Sequence, residues 1–181
     1  MNSVAREILI DDNHAVFSRE GMFFKEFPSD LRKIRYYTLL VVQKAPLAIK
    51  ELNLLEQQIS EIIKNAVKHG NKSDATKNIK IWYKFSEQDA RIIVEDEGSG
   101  FSDIEKWNAF NGKRVTCVSE GDYDKLADFV SWRSSSSDDT DGGNALFAAV
   151  EYWNGGYIFN SKRNCVGALK VFPANQPLFM E

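Results

Sequence analysis

Several common signals are scarce or missing in this chain, and each gap excludes something. Its 181 residues include only two cysteines, Cys117 and Cys165, with no CxxC and no zinc-like spacing. That excludes a disulfide-framed secreted scaffold and a cysteine-rich metal module, and leaves two free thiols as the expectation. No basic excess is present: the formal net charge is −3, so direct nucleic-acid binding has no electrostatic support. No apolar run approaches the roughly 18 residues that a membrane span needs. Met1 to Glu20 carry acids and no apolar core, which argues against a secretory leader and for a cytoplasmic protein. No internal repeat and no sharp composition break divides the chain.

What is present fits one ordinary domain. Hydrophobic residues make up 43% and charged residues 27%, enough to bury a core at this length. Residues 1–21 show no period and read as an N-terminal extension, leaving 22–181 as the domain. Met22–Phe27 reads as an edge strand before Pro28. Ser29 reads as the N-cap of a helix to about Lys44, and Asn53 with Glu56 as a capping box opening a helix to His69. Asn78–Phe85 alternates, with Ile79, Ile81, Tyr83 and Phe85 on one face; Ala90–Asp96 places Ile92, Val94 and Asp96 on one face. The polar turn Ser86–Asp89 makes these a hairpin. Two short helices are expected near Asp103–Phe110 and Asp122–Trp132. The serine and aspartate run Ser134–Asp141 reads as a mobile loop. A helix from about Asn144 to Trp153, and strands near Tyr157–Asn160 and Ala168–Phe172, complete the pattern.

Three segments carry chemistry. On the helix to His69, the residues Ile59, Ile62, Ile63, Ala66 and Val67 form an apolar stripe, while Glu61, Asn65 and His69 line up at i, i+4, i+8. Alone, that line is what any solvated helix face shows. Asp96-Glu97-Gly98-Ser99-Gly100 follows a strand; its glycines permit close approach, and Asp96 continues the apolar face. A carboxylate there needs a donor, and an adenine amino group is a suitable one. Alone, it is also an ordinary Asp-Gly turn. Gly142-Gly143-Asn144-Ala145-Leu146 opens a helix, where free backbone N–H groups suit phosphate; the plain alternative is a capped glycine turn.

Together and in this order, the three segments resemble the GHKL, or Bergerat-fold, ATPase superfamily. Glu61 to Asn71 resembles its N box, Asp96 to Gly100 its first glycine box, and Gly142 to Leu146 its second. The resemblance covers roughly Phe27 to Phe172 and implies an α/β (α+β) two-layer sandwich: a mixed, mainly antiparallel sheet with helices on one face. It implies ATP or ADP with Mg²⁺ as ligands, beneath a lid of about residues 102–141. Nucleotide contacts would come from Asn65, Lys68, His69, Asp96, Gly98, Gly100, Gly142, Gly143, Asn144, Ala145 and Leu146. Asn65 would ligate the metal and Glu61 would act as the catalytic base. Lys68, Lys72, Lys113, Arg114 and Arg133 each suit the γ-phosphate.

Within the superfamily, Asn65-Ala66-Val67-Lys68-His69-Gly70 in a chain this small is most similar to the bacterial anti-sigma factor serine/threonine kinases. That similarity implies a sigma factor and an anti-anti-sigma (STAS-type) protein as partners, and allows a homodimer. Ala145 departs from the glycine usual in the second box. An ATP-binding anti-sigma module without kinase activity, and a stand-alone histidine-kinase catalytic domain, are the alternative readings.

Overall fold

The strand pattern translates directly into the centre of the sheet. In the computed structural model, which describes residues 6–132 and 144–173, the alternating segments form strands β3 (Asn78–Phe85) and β4 (Asp89–Glu95), paired antiparallel across the Ser86 turn. With β1 (Leu9–Ile10), β2 (Phe23–Pro28), β5 (Gly156–Phe159) and β6 (Cys165–Val171) they make one six-stranded sheet in the order β1-β5-β6-β4-β3-β2. Only β1 and β5 run parallel; the other neighbours are antiparallel. This is the expected mixed, mainly antiparallel α/β sheet.

One face of that sheet carries the core. Ile79, Ile81 and Tyr83 of β3 join Ala90, Ile92 and Val94 of β4, and Val166 and Ala168 of β6. Helices α1 (Ile34–Val42), α2 (Leu52–Asn65) and α5 (Ala145–Tyr152) lie on this face and contribute to the same cluster. The α2 stripe is as expected: Ile59, Ile63 and Val67 are wholly buried, and Ile62 and Ala66 nearly so. Each of the isoleucine and valine side chains contributes about 1.5–3 kcal/mol of transfer free energy.

Helix starts differ from the sequence expectation. The cap before α1 is Asp30, whose carboxylate accepts from Arg32 N at 3.0 Å and opens a 3₁₀ turn, Leu31–Lys33. Ser29 is instead buried and accepts a hydrogen bond from Asn71 Nδ2 at 2.8 Å. Asn53 and Glu56 form no capping box, because α2 already begins at Leu52 and Glu51 stands at its N-cap without a side-chain bond.

Two further findings concern residues 1–21 and 102–141. The described part of the supposed extension belongs to the sheet. Leu9 and Ile10 pair with Ile158 and Phe159, and the chain then crosses the sheet's other face. There Val16 is buried against Gly167, and the Arg19 guanidinium lies 3.7 Å over the Trp82 ring. The supposed lid begins as a long core helix, α3 (Ile104–Glu120), with Trp107 wholly buried. Asn108 clasps the N-terminal segment, donating to Ile8 O and accepting from Ile8 N, both at 2.9 Å. A short helix, α4 (Tyr123–Leu126), follows, capped by Asp122. Ser134–Asp141 lies outside the described residues.

Candidate functional site

The end of α2 is built to bring its backbone against the end of β4. The last turn, Ala66–Gly70, is π-helical, with Asn71 N donating to Ala66 O at 2.8 Å; such widened turns recur at functional sites. Gly70 thereby lies beside Asp96: a Cβ on Gly70 would sit 2.3 Å from Asp96 Oδ2. Gly98 packs as closely, since its Cβ would lie 2.0 Å from the Gly70 carbonyl oxygen. Gly100, at φ +97°, rests on the Lys162 carbonyl, 2.2 Å from where a Cβ would be. These three glycines are a steric requirement of the site.

Two asparagines hold this arrangement. Asn71, wholly buried, donates to Ser29 Oγ and to Asn78 O, and its oxygen accepts from Glu97 N at 2.7 Å. Asn164, in the β5–β6 turn, donates to Asp96 O at 2.7 Å, while its own carbonyl accepts from Asp96 N. The same turn fastens the loop after Gly100: Phe101 N donates to Arg163 O, and the Arg163 guanidinium pairs with Glu105 at the start of α3. Arg163 itself sits at φ +61°, in the left-handed region.

Asp96 is thus fixed with one oxygen accepting from Gly98 N at 2.8 Å. Burial raises its carboxyl to about 6, against the smaller downward pull of that Gly98 bond. It lines a cavity of about 360 Å³ whose apolar floor includes Val94, Phe159 and Val166. Glu61, Asn65, His69, Gly70 and Gly100 line it, as do Ala145 and Leu146 from the first turn of α5. The sequence-predicted residues from all three segments therefore meet at one cavity.

The remaining assignments divide. Lys68, Gly98 and Asn144 do not line the cavity; Gly98 acts one step behind it, through Gly70 and Asp96. Gly142, Gly143 and Arg133 lie outside the described residues. Of the lysines and arginines expected at the γ-phosphate, Lys72 lines the cavity, whereas Lys113 and Arg114 do not, and the Arg114 guanidinium lies 4.4 Å over the Phe147 ring. Sequence reasoning missed Asn164, Arg163, Tyr157 and the apolar floor. No motif marks Asn164 or Arg163; only the turn-forming Asn160–Asn164 composition hints at them.

The cavity fits an adenine nucleotide. Asp96 offers a fixed acceptor for an exocyclic amino group above an apolar floor. The opening turn of α5 supplies free backbone N–H groups at Ala145 and Leu146, suited to phosphate. Asn65 presents a neutral oxygen donor whose side chain makes no hydrogen bond to another described residue. Among the described residues no three His, Cys, Asp or Glu side chains converge, so a metal here would rely on phosphate oxygens and water as well, as Mg²⁺ commonly does. Near Asn65, Glu61 is ion-paired with Lys64, whose Nζ donates to Oε1 at 3.0 Å.

A two-layer sandwich with this cavity between α2, the β4 end and α5 defines a nucleotide-binding domain. The model of the histidine kinase-like ATPase domain matches residues 24–147, more than half the chain, and the chain belongs to that family. It is an ATP-binding domain of the GHKL type. No curated protein matches it. Among the described residues no helix is long and apolar enough to cross a membrane, and Cys117 and Cys165 are both free and buried.

Proposed function

We propose that this chain is an Mg–ATP-dependent anti-sigma factor kinase, which phosphorylates a serine or threonine of a STAS-type anti-anti-sigma partner. The observation that carries the nucleotide part is the meeting of Glu61, Asn65, Asp96 and the α5 N-terminus at one cavity. Asp96 would accept the adenine amino group, the first turn of α5 would hold phosphate, and Asn65 would ligate Mg²⁺. The metal would neutralise phosphate charge during transfer. Glu61, one turn before Asn65, would take the proton of the attacking hydroxyl. The kinase and partner assignments rest on the likeness of Asn65–Gly70 to the anti-sigma kinases.

Two observations favour a second reading, nucleotide-dependent binding without transfer. Ala145 stands at the cavity where the family usually has glycine, and Glu61 is already paired with Lys64. Incubating the protein with γ-labelled Mg–ATP and a STAS-type protein separates the two. An acid-stable phosphoester on the partner supports the kinase. Nucleotide-dependent complex formation without label supports the second reading, and acid-labile label points to a phosphohistidine relay.

A further inference from the structure

Among the described residues, Tyr157 is the cavity-lining hydroxyl on an almost fully buried side chain. It lies on β5, facing the helices, and is 5% exposed. Its ring packs edge-on to Phe159 at 5.9 Å. The hydroxyl makes no hydrogen bond to any described residue, and it is not among the oxygens shut off from solvent, as that of Tyr152 is. It therefore opens on the cavity that Tyr157 lines. A polar group buried to this degree without a protein partner calls for an explanation, and a bound ligand group is one.

Its neighbour supplies the chemistry. Glu61 lines the same cavity and is close enough for its charge to add to the burial that pushes the Tyr157 hydroxyl upward. The phenol thus stays protonated across the working range and can only donate to a bound acceptor. Glu61 is ion-paired with Lys64, whose Nζ donates to Oε1 at 3.0 Å and lies 2.8 Å from Oε2, and Oε2 makes no further bond. A phenolic donor without a protein partner and a carboxylate with lone pairs to spare, lining one cavity, suit a hydroxyl, which accepts from the first and donates to the second.

We propose that Tyr157 is a catalytic hydrogen-bond donor that holds the oxygen of the attacking hydroxyl while Glu61 takes its proton. The inference rests on the reading of the cavity as an ATP site. In the step, the attacking oxygen bonds to the γ-phosphorus, and the bond from that phosphorus to the β–γ bridging oxygen breaks. ADP leaves with that electron pair, the proton passes to the Glu61 carboxylate, and Tyr157 keeps its own proton. Water as the attacking group gives hydrolysis; a serine or threonine hydroxyl gives the phosphoester.

The test is calorimetry of the full chain with Mg–ADP and with Mg–ADP–aluminium fluoride, whose axial water stands for the attacking hydroxyl. Tyr157→Phe keeps the ring, and its thermal midpoint serves as the folding check. We expect unchanged ADP affinity and about tenfold weaker binding of the aluminium fluoride complex, the size of one lost hydrogen bond. Glu61→Gln should weaken the same complex, and the double variant should fall short of the product of the two single effects. Equal losses for ADP and the complex, or no loss for either, overturn the role of Tyr157 and leave the ATP site standing. If the unsubstituted protein binds neither ligand, the ATP reading falls and the inference falls with it.

Discussion

Gly98 is packed on Gly70 so closely that a Cβ on Gly98 would lie 2.0 Å from the Gly70 carbonyl oxygen. The obstacle is backbone, which cannot rotate away as a side chain can. Gly98→Ala should therefore push α2 and the β4 end apart, destabilising the protein by about 1–3 kcal/mol. Because Asp96 is fixed through Gly98, ATP affinity should fall at least tenfold as well, read by calorimetry alongside a urea titration. Unchanged affinity would mean that the cavity does not depend on this contact.

Asp96 gives the site a pH dependence whose sign follows from its surroundings. Burial raises its carboxyl from 3.8 to about 6, so between those values the folded chain holds more proton than the unfolded one. The contribution of Asp96 to stability is therefore most favourable below about 4 and is lost as pH rises through 6. Ligand binding should run the other way, since an adenine amino group needs the ionised acceptor. We expect ATP affinity to drop as pH falls below 6, and Asp96→Asn to be weak at every pH. In thermal melts from pH 4.5 to 7.5, the variant should lack the increment in stability that the unsubstituted protein gains on the acid side.

The legible parts of this fold are those where one local pattern outweighs every competitor. Ile79, Ile81 and Tyr83 alternate without a break, so β3 could be drawn to the residue and its hairpin partner β4 to within one residue at each end. The stripe from Ile59 to Val67 likewise placed α2, and the order of the three segments located the cavity. The expected helix ends near Phe110, where Asn111-Gly112 reads as a turn signal; in the structure Asn111 is buried and donates to Arg6 O, and Cys117 is buried further along α3. The N-terminal strand is only Leu9–Ile10, too short for any period. In the sequence Asn71 is the last residue of the N-box segment, and its real work, three bonds to Ser29, Asn78 and Glu97, depends on contacts that its own segment does not contain.

That work makes Asn71 a sharp test of how the site is held. Removing its amide in Asn71→Ala leaves Ser29 Oγ, Asn78 O and Glu97 N without this partner, the first buried and the other two partly so. The expected cost is about 3 kcal/mol. Asn71→Asp keeps an acceptor for Glu97 N but loses both donors and buries a charge, so it should be no better. Equilibrium denaturation measures both, and a loss below about 0.5 kcal/mol would contradict the bridging role.

Glu61 and Asn65 should separate cleanly. Glu61→Ala removes a partly exposed, cavity-lining carboxylate that pairs with Lys64 along α2, and such i,i+3 pairs are worth about 0–1 kcal/mol. Folding and Mg–ATP binding should persist while phosphoryl transfer or hydrolysis falls by about 10²-fold or more. Asn65→Ala should instead abolish the difference between ATP affinities measured with Mg²⁺ and with EDTA. If both variants keep transfer and the Mg²⁺ effect, the cavity holds its ligand in some other way.

The N-terminal segment can be shown to be structural by a compensating pair. Gly167 lies on β6 where Val16 crosses the sheet, and a Cβ there would sit 2.6 Å from Val16 Cγ1 and 3.1 Å from Phe17 Cε1. Gly167→Ala should cost about 1–3 kcal/mol by overpacking. Val16 is 2% exposed, so Val16→Ala should cost about 1–3 kcal/mol by emptying part of the same space. In the double variant the new methyl occupies room that the lost ones vacate, and the combined cost should be smaller than the sum of the single costs by at least 1 kcal/mol. Urea denaturation of the four proteins measures that coupling directly. Additive costs would mean that residues 11–19 do not rest on β6, and would return the segment to the status of a separate extension.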